Sequence, residues 1–273
     1  MKQEEIKVCV MRVGGTNCDS ETKRAFQEIG IQADVLHVNE LVKLHNLLDY
    51  QLLVLPGGFS FGDYVRSGVI FARFLSAKLA KEIETFINEG RPILGICNGF
   101  QILVEYGLLP GLEGVSTYPE ATLTTNEPAG FKCQWVNLKH ENKGKCAFTS
   151  KIHSGKVLGM PIAHGEGRLL FPKEKEEEML AKLIDNDMIV FCYCDKNGNR
   201  ADGKYPTNPN GSFYNIAGIC NREGNIFGLM PHPERAMYWW QQPDWTRQQQ
   251  MQQYGDGKLI FQSIIDNLTK KCR

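Results

Sequence analysis

The segment "RPILGICNGFQIL" spans Arg91 to Leu103, an apolar stretch that ends in Gly95-Ile96-Cys97-Asn98-Gly99 and runs straight into a helical pattern. A cysteine at such a strand-to-helix elbow stands at a helix N-terminus, where the dipole and unpaired backbone N–H groups favour a thiolate. The flanking glycines leave room for the turn. A thiolate used for acyl transfer needs a base for its proton and a third group to orient that base. "GLMPHPERA" supplies both: Pro231 and Pro233 hold the chain extended around His232, so that Glu234, two residues on, is expected on the same side as the ring. Cys97 and His232 lie 135 residues apart, which is no obstacle to groups that meet in space. The chemistry also needs donors for an oxyanion. The backbone amide of Asn98 is one, and the Pro56-Gly57-Gly58 turn after the strand "LLVL" offers a second at the same end of a parallel sheet.

The elements that must hold these groups alternate in type. "IKVCVMRV" reads as a strand, "DSETKRAFQEIG" as a helix capped by Asp19 or Ser20 and stopped at Gly30, and "ADVLHVN" as a second strand. "LVKLHNLLD" follows as a short helix, "YQLLVLPGG" as a third strand, "LAKEIETFINEG" as a helix and "PILGIC" as a fourth strand. This predicts an α/β fold with a mostly parallel sheet and helices on both faces. From about residue 123 to 171 the pattern turns β-rich ("ATLTTN", "FKCQWVNLKH", "GMPIAHGEGRLLF"), as expected of antiparallel strands added to that sheet. "KEKEEEMLAKLIDND" then predicts a solvated helix, "MIVFCYCD" a strand, "GSFYNIAGICN" and "NIFGLMPHPE" a pair joined by a turn at residues 222–224, and "GKLIFQSIIDNLTKK" a closing amphipathic helix. No repeat or long linker divides the chain, so one domain over residues 1–273 is expected.

Composition bounds the partners. Thirty-one basic residues balance 31 acidic ones, which argues against nucleic acid and against an anionic membrane surface. Nine scattered cysteines, several inside apolar runs, fit free thiols in a reducing compartment; with no leader-like N-terminus and no long apolar run, a cytoplasmic protein is expected. Cys192-Tyr193-Cys194 lacks metal-ligand spacing and a second pair, so no metal site is expected. "GNRADGKY" has the glycine and lysine of a phosphate loop but Tyr205 where the magnesium-binding hydroxyl belongs.

Taken in order, "LPGGFSFGDYVRSG", "ILGICNGFQIL", "PIAHGEGRL", "NPNGSFYNIAGI" and "GLMPHPER" resemble the glutaminase subunits of phosphoribosylformylglycinamidine synthase, a family of triad-type (class I) glutamine amidotransferases of purine biosynthesis with a flavodoxin-like fold. The resemblance covers nearly the whole chain. It implies that Cys97 is the nucleophile, His232 the base and Glu234 its orienter, with Gly58 and Asn98 forming the oxyanion hole. It further implies that Gln101 helps hold the substrate glutamine and that His164, Gly165 and Glu166 line the same pocket, largely through backbone groups. No cofactor is implied in this chain; ATP and Mg are implied for an ATP-dependent synthetase subunit, joined by a small bridging subunit. The charged insert at 173–183 and the Trp- and Gln-rich segment at 237–256 depart from compact members of the family. A stand-alone cysteine amidohydrolase of the same fold is the alternative that the elbow permits.

Overall fold

The computed structural model describes residues 1–247 and 252–270. Residues 248–251 of the Gln-rich segment, together with Lys271, the last residue of the expected closing helix, and Cys272, lie outside the described residues.

The first half of the chain delivers β1 (Lys7–Arg12), α1 (Asp19–Gln27), β2 (Gln32–His37), α2 (Val38–Leu44), β3 (Leu52–Leu55), α3 (Val69–Lys78), α4 (Ala80–Asn88), β4 (Ile93–Ile96) and α5 (Asn98–Tyr106). It continues with β5 (Thr122–Thr125), β6 (Lys132–His140), β7 (Val157–His164), β8 (Glu166–Leu170), α6 (Glu176–Asp185), β9 (Ile189–Cys194), β10 (Ile216–Cys220), β11 (Ile226–Leu229) and α7 (Lys258–Lys270). Nine strands form one sheet in the order β2-β1-β3-β4-β11-β10-β9-β6-β7. Pairing is parallel from β2 through β11 and antiparallel from β11 out to β7. Because β1 to β2 moves one way along the sheet and β2 to β3 to β4 the other, right-handed crossovers place α1 on one face and α2 to α4 on the opposite one, where α5 packs against α3. The α/β class, the parallel strands under helices and the added antiparallel strands are all as the sequence predicts.

The differences are local. "ATLTTN" does not join the main sheet: β5 pairs with β8 in a separate two-stranded ribbon. The expected single strand "GMPIAHGEGRLLF" divides at Gly165, so that β7 edges the main sheet while β8 belongs to the ribbon. Helix α3 was not expected; its apolar pattern is weak and its N-cap is a left-handed glycine, Gly68, which gives no capping signature. Helix α1 is capped by neither Asp19 nor Ser20. Its N-cap is Cys18, and the Asp19 carboxylate instead accepts from the Ser20 amide.

Helix α5 sits at the centre. Every residue from Asn98 to Glu105 is buried, and the buried Glu105 carboxylate is matched by Arg66 at 2.6 Å. The packing depends on absent side chains: a Cβ on Gly99 would lie 1.8 Å from the Leu55 carbonyl oxygen of β3, and one on Gly95 would lie 2.6 Å from that of Gly99. Gly99→Ala is therefore expected to push α5 off β3 and to destabilise the protein by about 3 kcal/mol or more in urea unfolding, whereas Gly14→Ala, where a Cβ meets nothing within 4 Å, should change stability by less than about 0.5 kcal/mol.

Candidate active site

Strands β4 and β11 run parallel, with Ile96 opposite Leu229. The chain leaves both at the same end of the sheet, so the residues just beyond them, Cys97 and His232, emerge side by side. Cys97 caps α5 with φ 52° and ψ −107°, a conformation that costs a non-glycine residue about 1–3 kcal/mol and persists only where the surroundings impose it. The amide of Cys97 donates to Leu229 O at 2.8 Å, and its carbonyl accepts from the Gln101 amide at 3.2 Å. The positive φ falls on the cysteine itself; the flanking glycines serve the close approach of helix to sheet.

His232 is 1% exposed and its amide donates to Pro161 O of β7 at 2.8 Å. Its Nδ1 meets Glu234 Oε1 at 2.5 Å. Glu234 does not reach it along an extended strand, as the prolines had suggested: residues Pro233–Arg235 form a 3-10 turn that folds the carboxylate back under the ring. Burial works against a charged imidazole here, but the Glu234 carboxylate and the Cys97 sulfur outweigh it and hold the pKa well above the usual histidine range. Nε2 lacks a hydrogen-bond partner, and the Cys97 thiol lies 3.7 Å from Ala163 O. Thiol–imidazole pairs of this kind commonly align only in the substrate complex.

Strand β3 ends beside β4 and hands on to the glycine turn. A Cβ on Gly57 would stand 2.7 Å from His232 Cε1 and 3.3 Å from Cys97 Cβ, so the turn packs against both. Gly58, at φ 144°, bridges Thr16 at a position flanked by Phe59 N to Gly15 O (2.8 Å) and Asn17 N to Gly57 O (3.3 Å). At a non-hydrogen-bonded position of that kind the residue's own amide points away from its neighbour. The Asn98 amide, first in α5, is one of the helix's orphan donors.

The Asn98 side chain ties this turn to the elbow. Its Oδ1 accepts from Ser60 N at 3.2 Å, and its Nδ2 donates to Asp63 Oδ1 at 3.2 Å and to Gln101 Oε1 at 2.9 Å. Gln101 Nε2 donates in turn to the Glu166 carbonyl, while Glu166 Oε2 accepts from Ser67 N at 3.0 Å. Phe61, Asp63 and Val65 all carry positive φ in this loop, so the network holds a strained segment in place. His164 is fully buried, and burial, with His232 adding to it, pushes its pKa down to about 3. It is neutral: Nδ1 lies 3.1 Å from Asn126 Oδ1 and Nε2 is unpartnered. Asn126 organises the whole corner, its amide donating to Gly165 O and its Oδ1 accepting from Gly167 N.

Every residue expected in the site thus converges on one end of β3, β4, β7 and β11. Asp63, Asn126, Cys18 and Arg235 belong to it as well and were not singled out beforehand. Asp63 lies inside a quoted motif and Arg235 directly follows Glu234, but nothing in the sequence pointed to Asn126 or Cys18. The ligand-type atoms of Cys18, His232 and Glu234 fall within 4.8 Å of one another. Arg235 already donates to the Cys18 sulfur at 3.1 Å, and the ring proton is shared with Glu234, so hydrogen bonds and a resident cation account for this cluster. A thiol at the N-terminus of α5, an imidazole oriented by a carboxylate and the orphan amides of the helix start are together competent for nucleophilic acyl transfer.

Residues 5–266 match the model of the CobB/CobQ-like glutamine amidotransferase domain. The chain belongs to this amidotransferase family. The phosphoribosylformylglycinamidine synthase subunit PurQ of Archaeoglobus fulgidus is 47% identical to it over 99% of this chain and 100% of that protein. The protein of the same description from Aquifex aeolicus is 48% identical over 84% of this chain and 89% of its own length. Among solved structures, PurLQS from Thermotoga maritima matches with a TM-score of 0.72 and 35% identity over 97% of this chain and 99% of that one.

For an amidotransferase site of this geometry, a glutamine-like electrophile is expected to modify Cys97 alone, with Cys133, the exposed thiol among the described residues, taking up only non-specific alkylators. Burial raises Cys18 to about 11 and Cys192 to about 12; peptide mapping that placed the glutamine-like label on Cys18 or Cys220 would count against the assignment. Glu234→Gln removes the charge that chiefly supports the protonated ring, so the His232 pKa should fall, as followed by NMR titration. An unmoved pKa would show that the carboxylate does not control the ring.

Proposed function

We propose that this chain is the glutaminase subunit of a phosphoribosylformylglycinamidine synthase, hydrolysing glutamine to glutamate and supplying ammonia for an ATP-dependent amination in de novo purine biosynthesis. The observation that carries the reading is the strained Cys97 elbow beside a buried His232–Glu234 pair at 2.5 Å, in a chain whose relatives bear that name over nearly their full length.

The Cys97 sulfur attacks the side-chain amide carbon of glutamine while His232 takes up the thiol proton. Glu234 keeps the ring oriented and stabilises the imidazolium. The negative charge that develops on the amide oxygen falls between the Gly58 and Asn98 amides, each such donor being worth roughly a hundredfold to a thousandfold in rate. Protonation by His232 releases ammonia and leaves a glutamyl thioester, which water hydrolyses to glutamate. Gln101, His164, Gly165 and Glu166 line the glutamine pocket; His164, being neutral, offers an acceptor without adding charge.

The partners follow from chemistry that this chain leaves undone. The amination consumes ATP with Mg, and the segment from Gly198 to Tyr205 leads into turns and a short 3-10 turn rather than the helix N-terminus a phosphate loop needs. An ATP-dependent synthetase subunit, with a small bridging subunit, would supply that step. Cys97 is only 4% exposed, which supports a site opened or aligned by contact with that partner.

Replacing Cys97 by Ala is expected to abolish glutamine-dependent synthesis in the assembled enzyme while synthesis from ammonium salts continues. Glutamate release by the isolated chain should be slow and should rise when the synthetase subunit, its acceptor and nucleotide are added. Full turnover by the chain alone, with no co-elution under any ligand condition, would favour a stand-alone amidohydrolase.

A further inference from the structure

Cys18 is buried at the N-cap of α1, 2% exposed, and plays no part in the acyl transfer described above. Its surroundings are nonetheless those of the site. Its amide donates to Gly57 O at 3.1 Å, next to the Asn17 amide that donates to the same oxygen at 3.3 Å. Its sulfur lies 4.0 Å from His232 Nδ1 and accepts from Arg235 Nη2 at 3.1 Å. A Cβ on Gly57 would be 3.1 Å from that sulfur, so the thiol, the imidazole and the glycine turn are packed against one another without slack.

The anchorage extends outward from there. Arg235 lies three residues past His232 on the same 3-10 turn, and its Nε and Nη2 both reach Glu21 Oε1 at 2.8 Å. Glu21 sits in the first turn of α1, and the Cys18 carbonyl accepts from the Thr22 amide at 3.0 Å and from Thr22 Oγ1 at 2.6 Å. Thus the histidine-bearing turn is clamped to the start of α1 by a guanidinium, and the start of α1 is clamped to the oxyanion turn by the amide of the same residue whose sulfur touches the ring.

From this geometry we propose that Cys18 is a positioning residue for the glutaminase reaction, registering the base His232 and the amide-bearing Gly57-Gly58 turn against each other through one rigid helix start. The inference rests on the functional reading above. The thiol itself stays neutral, since burial raises Cys18 to about 11, so it acts by packing and weak acceptance beside Nδ1. A catalytic constellation loses rate steeply when its members drift by fractions of an ångström, and a 1 Å misplacement can cost about a hundredfold.

The test uses the chain assembled with its synthetase partner and compares wild type, Cys18→Ala, Cys18→Ser and Glu21→Gln. For Cys18→Ala, kcat for glutamate release should fall about tenfold with KM for glutamine changed less than about twofold, the pattern of an interaction felt in the transition state. The sulfur is one of the contacts that raise the His232 pKa, so its loss should also move the limb of the pH–rate profile that reports His232 to lower pH. Cys18→Ser, which keeps a weaker acceptor, should fall between. If Cys18→Ala does not fold, Glu21→Gln carries the test, since it slackens Arg235 from the surface and should shift the same limb in the same direction by less. Wild-type kcat, KM and pH limb in the folded Cys18→Ala protein, or in Glu21→Gln where that variant stands in, would overturn the inference. So would a loss of kcat with an unmoved limb, which indicates general loosening. Absence of glutamate release from the wild-type assembly would instead overturn the functional reading itself.

Discussion

The site exists because α5 is allowed to come too close to β3. With no side chain on Gly99, the helix settles against the Leu55 carbonyl at a separation that any Cβ would forbid, and the chain between β4 and α5 must then turn within a single residue. That residue is Cys97, and its φ of 52° is the result. The strain is local, while the forces that offset it are spread over the burial of α5 and of the strands it covers. The same approach sets the first amide of α5, one of the helix's orphan donors, directly after that thiol. One close contact between backbone segments therefore fixes the sulfur and the start of α5 together.

Around that contact, polar groups do the aligning. Asn98 bridges the elbow to the 57–68 loop, Gln101 and Glu166 join that loop to the β7–β8 corner, and Asn126 shapes the corner from behind. Asn98, Gln101 and Asn126 are buried and Glu166 partly so, each with its main hydrogen bonds met, as buried polar side chains must be to avoid a net penalty. Of the unpartnered buried atoms of the site, His164 Nε2, His232 Nε2 and Glu234 Oε2 lie on titratable groups, where open hydrogen-bonding capacity is useful to a reaction, while Ser60 Oγ lies in the 57–68 loop.

How much of this was legible in the sequence depended on the range of the signal. Cys97, His232 and Glu234 were legible because the glycines beside the first leave room for a tight turn and the prolines beside the second restrict the chain, both local signals. The strand–helix alternation was legible because periodicity is local as well. What remained hidden was set by tertiary contacts. The 3-10 turn that carries Glu234 defeats the extended conformation that proline alone suggests, and the break at Gly165 sends β8 into a different sheet although the apolar pattern runs on. Asn126 carries no pattern at all, since its role lies in acceptors and donors brought to it by His164, Gly165 and Gly167 at the β7–β8 corner. Cys18 was hidden for a similar reason: a cysteine makes a poor cap in isolation, and only the contacts of its sulfur explain it.

Helix α6 occupies a different position in this economy of contacts. Of its residues only Met179 and Leu183 are buried, and it is stitched on its surface by the exposed pair Glu178–Lys182. It joins β8 of the ribbon to β9 of the antiparallel extension, remote from the end of β3 and β4 where the thiol sits. A segment so placed can lengthen, shorten or change charge while the register of β4 with β11 stays as it is. Divergence in chain length can accumulate there at little risk to the chemistry, which makes this helix a tolerant margin on an otherwise unforgiving fold.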